Sequence, residues 1–219
     1  MNRNLTCKKP YIAFSGIIGA GKTTLAENIG KYFSIPVYKE DIQNQEILSK
    51  FYKDKKKYAF PLQIQLLSQR LEQQHKITWS NDGSIQDRSI YEDLVFVRSF
   101  VKLGLLSNVE ADIYENLFTV VSANLKHPTC IVYLKTTPEI ALERIKKRGR
   151  DIEQNMDLEY VKNLCNAYED FIQDISCIIP VIVFNWDQFS ETKFVAETLY
   201  SFLSDMTSIR YVDTPSYTT

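Results

Sequence analysis

The residues best suited to chemistry form a glycine-rich run that ends in a lysine and two threonines. The run reads GIIGAGKTTL from Gly16 to Leu25. Its glycines allow the backbone to curl so that several N–H groups point at phosphate oxygens, and a helix starting there adds its positive dipole end. In this pattern the lysine lies between the β- and γ-phosphates and the threonine hydroxyl binds Mg²⁺. The run predicts a nucleoside triphosphate site and leaves the acceptor of the phosphoryl group open. The residues predicted for this site are Gly16, Gly19, Ala20, Gly21, Lys22, Thr23 and Thr24.

Two acidic residues and an arginine follow predicted strands. Glu40 ends the segment IPVYKE, Asp87 ends SIQD, and Arg88 comes next. Ligands of open parallel sheets bind beyond the carboxyl ends of the strands, so these side chains are expected near the glycine-rich run. Glu40 is either a general base for a hydroxyl or an exposed strand-end carboxylate. Asp87 is predicted to help hold Mg²⁺, and Arg88 to contact a donor or acceptor phosphate.

A third group of charges lies in ERIKKRGRDIEQ. Arg144 and Arg148 are four residues apart on one face of a predicted helix, and Arg150 follows Gly149. Such a group is either a basic helix end or a lid that closes over the transferring phosphoryl group. Together with the phosphate-binding run, it favours an arginine-rich lid at about 148–156.

The elements that must position these residues alternate between apolar strands and helices, which predicts an α/β fold with a five-stranded parallel sheet flanked by helices. The predicted strands are Tyr11–Ser15, Ile35–Lys39, Ser84–Asp87, Cys130–Lys135 and Pro180–Phe184. One predicted helix runs from Lys22 to about Phe33, and a second from about Ala59 to Ile77, with Pro61 in its first turn. One or two further helices are predicted between Tyr91 and Leu125. The last starts at Pro138 after a Thr137 cap and stops at Gly149.

Length and composition are those of one soluble domain over 1–219, with a polar tail from about 205. The net charge is −1, and no apolar run approaches the roughly 20 residues that span a bilayer. We therefore expect neither nucleic acid nor a membrane as partner. The four cysteines lack metal-site spacing and are expected to be reduced. The basic run YKDKKKY, from Tyr52 to Tyr58, is predicted to be a solvated loop.

Other users of a phosphate-binding loop fit less well. A GTPase switch needs an NKxD motif on a late strand, and FNWDQF is not one. A motor ATPase is usually larger and has two acidic residues at the end of a hydrophobic strand, whereas SIQD ends in the single acidic residue Asp87, followed by Arg88. The remaining pattern is that of a small kinase.

The motifs, in their order along the chain, resemble the deoxynucleoside kinase family. The resemblance covers Tyr11 to about Phe189 and rests on GIIGAGKTT, Glu40, FYKDKKKYAFPLQ, DRSIYED, RIKKRGRDIEQ and FNWDQF. It implies a P-loop kinase fold, ATP with Mg²⁺, and transfer to the 5′-hydroxyl of a deoxynucleoside. The implied roles are Glu40 as general base; Tyr52 and Glu153 at the 3′-hydroxyl; Gln63 at the base; Arg88 beside the 5′-oxygen; Arg144, Arg148 and Arg150 in the lid, Arg148 also contacting ATP; and Phe189 against the adenine.

Arg70 and Asp93 bear on the choice of base. Thymidine-preferring members lack the matching pair, so its presence implies that purine deoxynucleosides or deoxycytidine are preferred. In the helix after KKKYAF, Gln63 and Arg70 are two turns apart and share a face, either as a base-reading pair or as exposed side chains. Three departures fall in this pocket: Asp41 replaces the usual proline, DIQNQ stands where animal members have a nearby tryptophan, and Val97 stands where an aromatic is common.

The expected function is thus ATP-dependent deoxynucleoside phosphorylation for DNA precursor salvage, by a cytoplasmic homodimer with a mitochondrial location left open. The alternatives are a thymidine or thymidylate kinase, or a kinase-fold subunit without turnover. The survival of Lys22, Glu40 and Arg88 argues against the last.

Overall fold

Five parallel strands form the centre of the molecule. A computed structural model describes residues 10–40, 46–80, 82–150, 153 and 156–206. The strands are Tyr11–Ser15 (β1), Val37–Tyr38 (β2), Ser84–Asp87 (β3), Cys130–Lys135 (β4) and Val181–Asn185 (β5). They form one sheet in the order β2-β3-β1-β4-β5. The predicted α/β architecture with a five-stranded parallel sheet is confirmed.

Two strands begin later than predicted, and in both cases a proline precedes them. Pro36 and Pro180 have no N–H to donate to a neighbouring strand. Each still accepts through its carbonyl, from Ile85 N and Ile131 N respectively, both at 2.9 Å. The regular ladders of β2 and β5 therefore start one residue after these prolines.

Helices flank the sheet. Their bounds are Lys22–Phe33 (α1), Glu46–Lys53 (α2), Lys55–Thr78 (α3), Asp93–Lys102 (α4), Asn108–Ser122 (α5), Pro138–Arg148 (α6), Leu158–Ser176 (α7) and Thr192–Met206 (α8). The predictions for α1 and α6 are confirmed, whereas α2, α7 and α8 were not predicted. The segment after Tyr91 contains two helices, because the chain turns at Gly104 with a φ of 66°.

The basic run YKDKKKY is not a loop. Tyr52 and Lys53 belong to α2, and α3 starts at Lys55 because the Asp54 carboxylate accepts a hydrogen bond from Lys57 N at 3.1 Å. Pro61 consequently lies inside α3, beyond its first turn, so the prediction for that proline was wrong. The helix continues through it because its buried face packs along the core.

The central strand is the most deeply buried part of the sheet. All five residues of β1 are buried, and it pairs with β3 on one side and β4 on the other. Because all the strands are parallel, the carboxyl ends of β1, β2 and β3 meet at one edge of the sheet.

Of the cysteines, Cys130, Cys165 and Cys177 are free thiols, as expected, and Cys7 lies outside the described residues. None of the described helices has both the length and the apolar character that a membrane crossing requires.

Candidate active site

The glycine-rich run forms a tight loop between β1 and α1. Gly19 and Gly21 have φ values of 86° and 88°, a region that disfavours other residues. A Cβ on Gly19 would lie 2.8 Å from the carbonyl oxygen of Ala141, so α6 packs directly against the loop. Lys22 Nζ donates to the carbonyl oxygens of Gly16 at 2.7 Å and Ile17 at 3.0 Å. The lysine is thus held across the loop, beside the N-terminus of α1 where phosphate oxygens are favoured.

Lys22 is buried among charged side chains. Burial, and then the positive charge of Arg88, lower the pKa of the Lys22 ammonium to about 8, against the opposing effect of Asp87, Glu92 and Glu40. A negatively charged ligand would restore the stability of the ammonium. Lys22 is therefore an electrostatically unsatisfied cation, suited to phosphate.

Thr23 and Asp87 carry side-chain oxygen atoms beside this loop. Thr23 Oγ1 donates to Asp87 Oδ2, and the buried Asp87 Oδ1 has no hydrogen-bond partner among the described residues. A hydroxyl and a carboxylate are the ligands that Mg²⁺ takes when phosphates and water supply the rest. The described residues contain no group of three or more His, Cys, Asp or Glu that could hold a metal by themselves. The two residues fit a magnesium ion that arrives with a nucleotide.

Glu40 lies between two arginines at the end of β2. Arg88 Nε donates to its Oε2 at 3.0 Å, and Arg70 Nη2 donates to its Oε1. Burial raises the pKa of the Glu40 carboxyl, but Arg88, Arg70 and Lys22 together outweigh this and leave it lowered. Glu40 is thus an ionised carboxylate within a cluster of cations.

Arg88 is held in place by groups that the sequence analysis missed. Its φ of 71° lies in the left-handed region, and its N–H donates to Phe14 O at 3.0 Å, so the chain turns sharply after β3. Arg88 Nη1 donates to the Tyr168 hydroxyl at 2.7 Å, which donates to Glu92 Oε2 at 2.8 Å. The guanidinium also lies over the Phe96 ring, 4.8 Å from its centroid. No local pattern in α7 marks Tyr168, which is 80 residues from Arg88.

A cavity of about 790 Å³ connects the phosphate loop with α3. Gln63 and Arg70 are buried and line it, so the alternative that they are merely exposed is wrong. Gln63 Oε1 and Arg70 Nε have no hydrogen-bond partner among the described residues. Arg70 Nη1 is paired with Asp93 Oδ1, and Asp93 Oδ2 accepts from the Tyr114 hydroxyl at 2.9 Å. This part of the cavity offers unsatisfied polar groups to a ligand.

Aromatic side chains that the sequence analysis did not assign form the walls. Phe96 and Phe100 of α4 line the cavity, and Phe51 of α2 stacks on Phe100 with 5.4 Å between ring centroids. Val97, which stands at the family's aromatic position, is buried and does not line the cavity. Phe96 and Phe100 are four residues apart, which was the available signal for a shared helix face. The walls are flat and apolar enough to pack against a ring.

The end of α6 also lines the cavity. Arg148 Nη2 pairs with Glu153 Oε2, and Arg150 Nη1 lies 3.4 Å from Glu153 Oε1. All three line the cavity, as does Tyr52. Burial raises the pKa of the Tyr52 hydroxyl, so it remains a neutral donor. The residues between them in the predicted lid, 151–152 and 154–155, lie outside the described residues, as does Asp41.

Arg144 lies apart from the other two arginines. Its guanidinium carbon is 4.0 Å from the centroid of the exposed Phe189 ring, and Nη2 donates to Asp187 O at 2.8 Å. Phe189 Cε1 is only 3.2 Å from the position of a Cβ on Gly21. Arg144 and Phe189 therefore form a flat surface beside the phosphate loop.

The structure brings most of the predicted site residues to one cavity. Those that line it are Gly19, Gly21, Lys22, Thr23, Thr24, Glu40, Tyr52, Gln63, Arg70, Asp87, Arg88, Arg144, Arg148, Arg150 and Glu153. Those adjoining it are Gly16, Asp93 and Phe189, through contacts with the lining, and Ala20, which lies between Gly19 and Gly21 in the chain. The roles given to them stay predictions.

Comparison with known proteins gives consistent results. The sequence profile of the family described as deoxynucleoside kinase matches residues 12–206. Deoxyadenosine kinase of Dictyostelium discoideum is 44% identical over 207 residues, covering 94% of this chain and 84% of the relative. Deoxyadenosine/deoxycytidine kinase of Bacillus subtilis is 33% identical over 178 residues, covering 80% of this chain and 82% of that protein. The solved structure of deoxyadenosine kinase from M. mycoides with bound dATP is similar, with a TM-score of 0.79, 28% identity and coverage of 89% and 99%. This chain is therefore an enzyme of the deoxynucleoside kinase family.

Proposed function

We propose that this enzyme transfers the γ-phosphoryl group of Mg²⁺·ATP to the 5′-hydroxyl of a deoxynucleoside, with purine deoxynucleosides or deoxycytidine preferred over thymidine. One observation carries this proposal: the carboxylate of Glu40 and the phosphate loop line the same cavity as the unsatisfied Gln63 and Arg70. Relatives named for deoxyadenosine, deoxyguanosine and deoxycytidine support the base preference.

In the proposed reaction Glu40 takes the proton of the 5′-hydroxyl as its oxygen attacks the γ-phosphorus. The bond between that phosphorus and the bridging oxygen of ADP breaks, and the electron pair leaves with ADP. Lys22 and Arg88 stabilise the negative charge on the phosphoryl oxygens, because hydrogen bonds within the protein fix both side chains in advance. Mg²⁺ held at Thr23 and Asp87 would neutralise charge on the β- and γ-phosphates.

The remaining predicted residues bind the two substrates. We assign Tyr52 and Glu153 to the sugar 3′-hydroxyl, and Gln63 with the Arg70–Asp93 pair to the base edge. Packing by Phe96 and Phe100 supports a planar ring at that position.

The donor side is assigned by the same reasoning. We assign Phe189, with Arg144 stacked on it, to the adenine of ATP, since the Phe189 ring lies beside Gly21. Arg148 and Arg150 belong to a lid at about 148–156 that closes over the phosphates.

A phosphorylation screen tests the proposal directly. The enzyme would be incubated with Mg²⁺·ATP and each of the four deoxynucleosides, the ribonucleosides and thymidylate, and kcat/KM compared. Deoxyadenosine, deoxyguanosine or deoxycytidine should be the best acceptor. A clear thymidine preference would refute the base assignment, and thymidylate as best acceptor would favour the monophosphate kinase alternative. ADP release that no nucleoside stimulates would favour a subunit without turnover.

We also propose that the enzyme is a cytoplasmic homodimer. An apolar stripe on α5 is exposed to between 39% and 75%, while the opposite face packs inward. Its members are Val109, Ile113, Leu117 and Val120. Light scattering on the purified enzyme and on Ile113→Lys tests the dimer: the substitution should yield monomers, and a wild-type monomer would contradict the proposal.

A further inference from the structure

Glu40, the proposed general base, is paired with more positive charge than a general base requires. Both carboxylate oxygens of Glu40 accept from a guanidinium group, Oε1 from Arg70 and Oε2 from Arg88. Opposite charges stabilise the ionised form, and a carboxylate stabilised in this way is a weaker base. Lys22 also lowers the pKa of the Glu40 carboxyl, whereas Lys39 pairs with Glu27 and not with Glu40. While both pairs are in place, therefore, Glu40 is poorly prepared to take a proton.

The two arginines are anchored differently. Arg88 is fixed by the Tyr168 hydroxyl and by the Phe96 ring. Apart from Glu40, Arg70 has one side-chain partner among the described residues, Asp93. Its Nε is buried without a hydrogen-bond partner. Arg70 is thus the cation that can exchange Glu40 for another partner while it stays paired with Asp93.

A ligand that binds Arg70 can also bind a second unsatisfied side chain of the same cavity, Gln63. Gln63 Oε1, from the same face of α3, is also buried without a partner among the described residues. A planar ligand with hydrogen-bonding groups on its edge would satisfy both side chains at once. A sugar without a base would satisfy neither.

Resting on the function proposed above, we propose that Arg70 keeps Glu40 weakly basic until a nucleobase draws the guanidinium away, so that recognition of the base switches on proton abstraction from the 5′-hydroxyl. The base then controls kcat as well as binding. Acceptors that lack a base, including water, meet a carboxylate that is still paired with Arg70, and this limits wasteful hydrolysis of ATP.

The test uses the full chain, Mg²⁺·ATP and a base-free acceptor, a deoxyribose ring that carries the 5′-hydroxyl but hydrogen in place of the base. For Arg70→Gln, kcat/KM with this acceptor should rise about tenfold, the factor that one lost hydrogen bond to a charged group corresponds to. With deoxyadenosine it should fall, because the base contact is lost as well. Arg98→Gln is the matched control: Arg98 pairs with Asp174 on the surface, so both activities should be unchanged.

Asp93→Asn should act in the opposite direction. An amide holds Arg70 less strongly, so the guanidinium stays with Glu40 and activity on the base-free acceptor should fall. The pH profiles separate this from a structural effect: the acid limb of kcat/KM should move to higher pH in Arg70→Gln and to lower pH in Asp93→Asn, because Arg70 lowers the pKa of Glu40. Arg88 and Lys22, which also face Glu40, are unchanged in both variants.

The outcomes distinguish the inference from the function on which it rests. If the wild type phosphorylates deoxyadenosine but base-free activity is unchanged or lower in Arg70→Gln, Arg70 is only a base contact or a support, and the inference is overturned. If Arg70→Gln does not fold, Asp93→Asn decides: unchanged or raised base-free activity, or an acid limb that stays in place, overturns it. If the wild type phosphorylates none of the four deoxynucleosides, the proposed function itself fails.

Discussion

Removing one hydroxyl group, in Tyr168→Phe, tests how the fold supports Arg88. The hydroxyl accepts from Arg88 Nη1 at 2.7 Å and donates to Glu92 Oε2 at 2.8 Å. The ring itself is stacked on Tyr133, with centroids 6.1 Å apart, and should remain in place. The substitution therefore removes two hydrogen bonds and little packing.

The expected loss of stability follows from the burial of both partners. The side chains of Arg88 and Glu92 are 4% and 0% exposed, so water cannot replace the hydroxyl. The hydrogen bond to the charged Arg88 contributes about 1.5 kcal/mol at the low end. Burial raises the pKa of the Glu92 carboxyl, so the bond to it is counted as an ordinary one of about 1 kcal/mol. The sum of about 2.5 kcal/mol corresponds, for a chain of this length, to a decrease of about 5–10 °C in Tm.

Activity should fall with stability, since Arg88 also contacts Glu40 and the proposed phosphoryl site. We expect kcat to decrease about tenfold, because a guanidinium without its anchor orients the transition state less well. The KM for ATP should change little, because Tyr168 does not line the cavity with the phosphate loop.

Tyr133→Phe is the matched control, assayed by thermal unfolding and steady-state kinetics. The Tyr133 hydroxyl also donates to a carboxylate, Glu169 Oε1 at 3.1 Å, but that side chain is 43% exposed. Its loss should decrease stability by less than about 1 kcal/mol and leave kcat unchanged. Equal decreases in Tm and kcat for the two variants would refute the role given to Tyr168.

Three further predictions concern the cavity. Glu40→Gln should retain nucleoside binding, measured by calorimetry, and lose about 10²–10⁴ in kcat, as expected for a general base; near-normal kcat would rule Glu40 out. Arg70→Met combined with Asp93→Ala should raise kcat/KM for thymidine relative to deoxyadenosine, and no gain would mean that this pair does not select the base. Because burial and nearby charge lower the pKa of Lys22 to about 8, the ammonium of the nucleotide-free enzyme loses its proton as pH rises through that value. The Kd for ATP should therefore be constant below pH 8 and increase by about tenfold per pH unit above it, and equal Kd values at pH 7 and pH 9 would contradict this.

Features governed by local rules were predictable from the sequence. The phosphate loop needs glycines at positions of positive φ before a helix, and Gly19 and Gly21 have that conformation. Helix α6 has its Pro138 at the first position and its stop at Gly149, as the pattern predicted. The ends of β1 and β3 were also correct, because a proline or a glycine directly precedes each strand and a polar residue ends it.

Features that depend on distant residues were not predictable. Tyr168 acquires its importance only when α7 packs beside the end of β3, and nothing in its neighbours along the chain indicates this. The run YKDKKKY was predicted to be a solvated loop because it contains three adjacent lysines, but it belongs to α2 and α3. The cap at Asp54 and the buried Phe51 and Ala59 on either side make it helical. Here tertiary burial outweighed local composition.

The chain carries a net charge of −1, yet its cavity has to receive a polyanion. The explanation is that bulk charge governs long-range attraction, whereas a buried site depends on charges within a few ångströms in a medium of low polarity. Each of Arg70, Arg88 and Arg148 is paired with a carboxylate that lines or adjoins the cavity. For the buried Arg70 and Arg88, this pairing avoids the cost of an isolated buried cation. Apart from Lys22, which donates to carbonyl oxygens, these cations must exchange existing ion pairs when a substrate binds, so selectivity depends on which partners a substrate can replace.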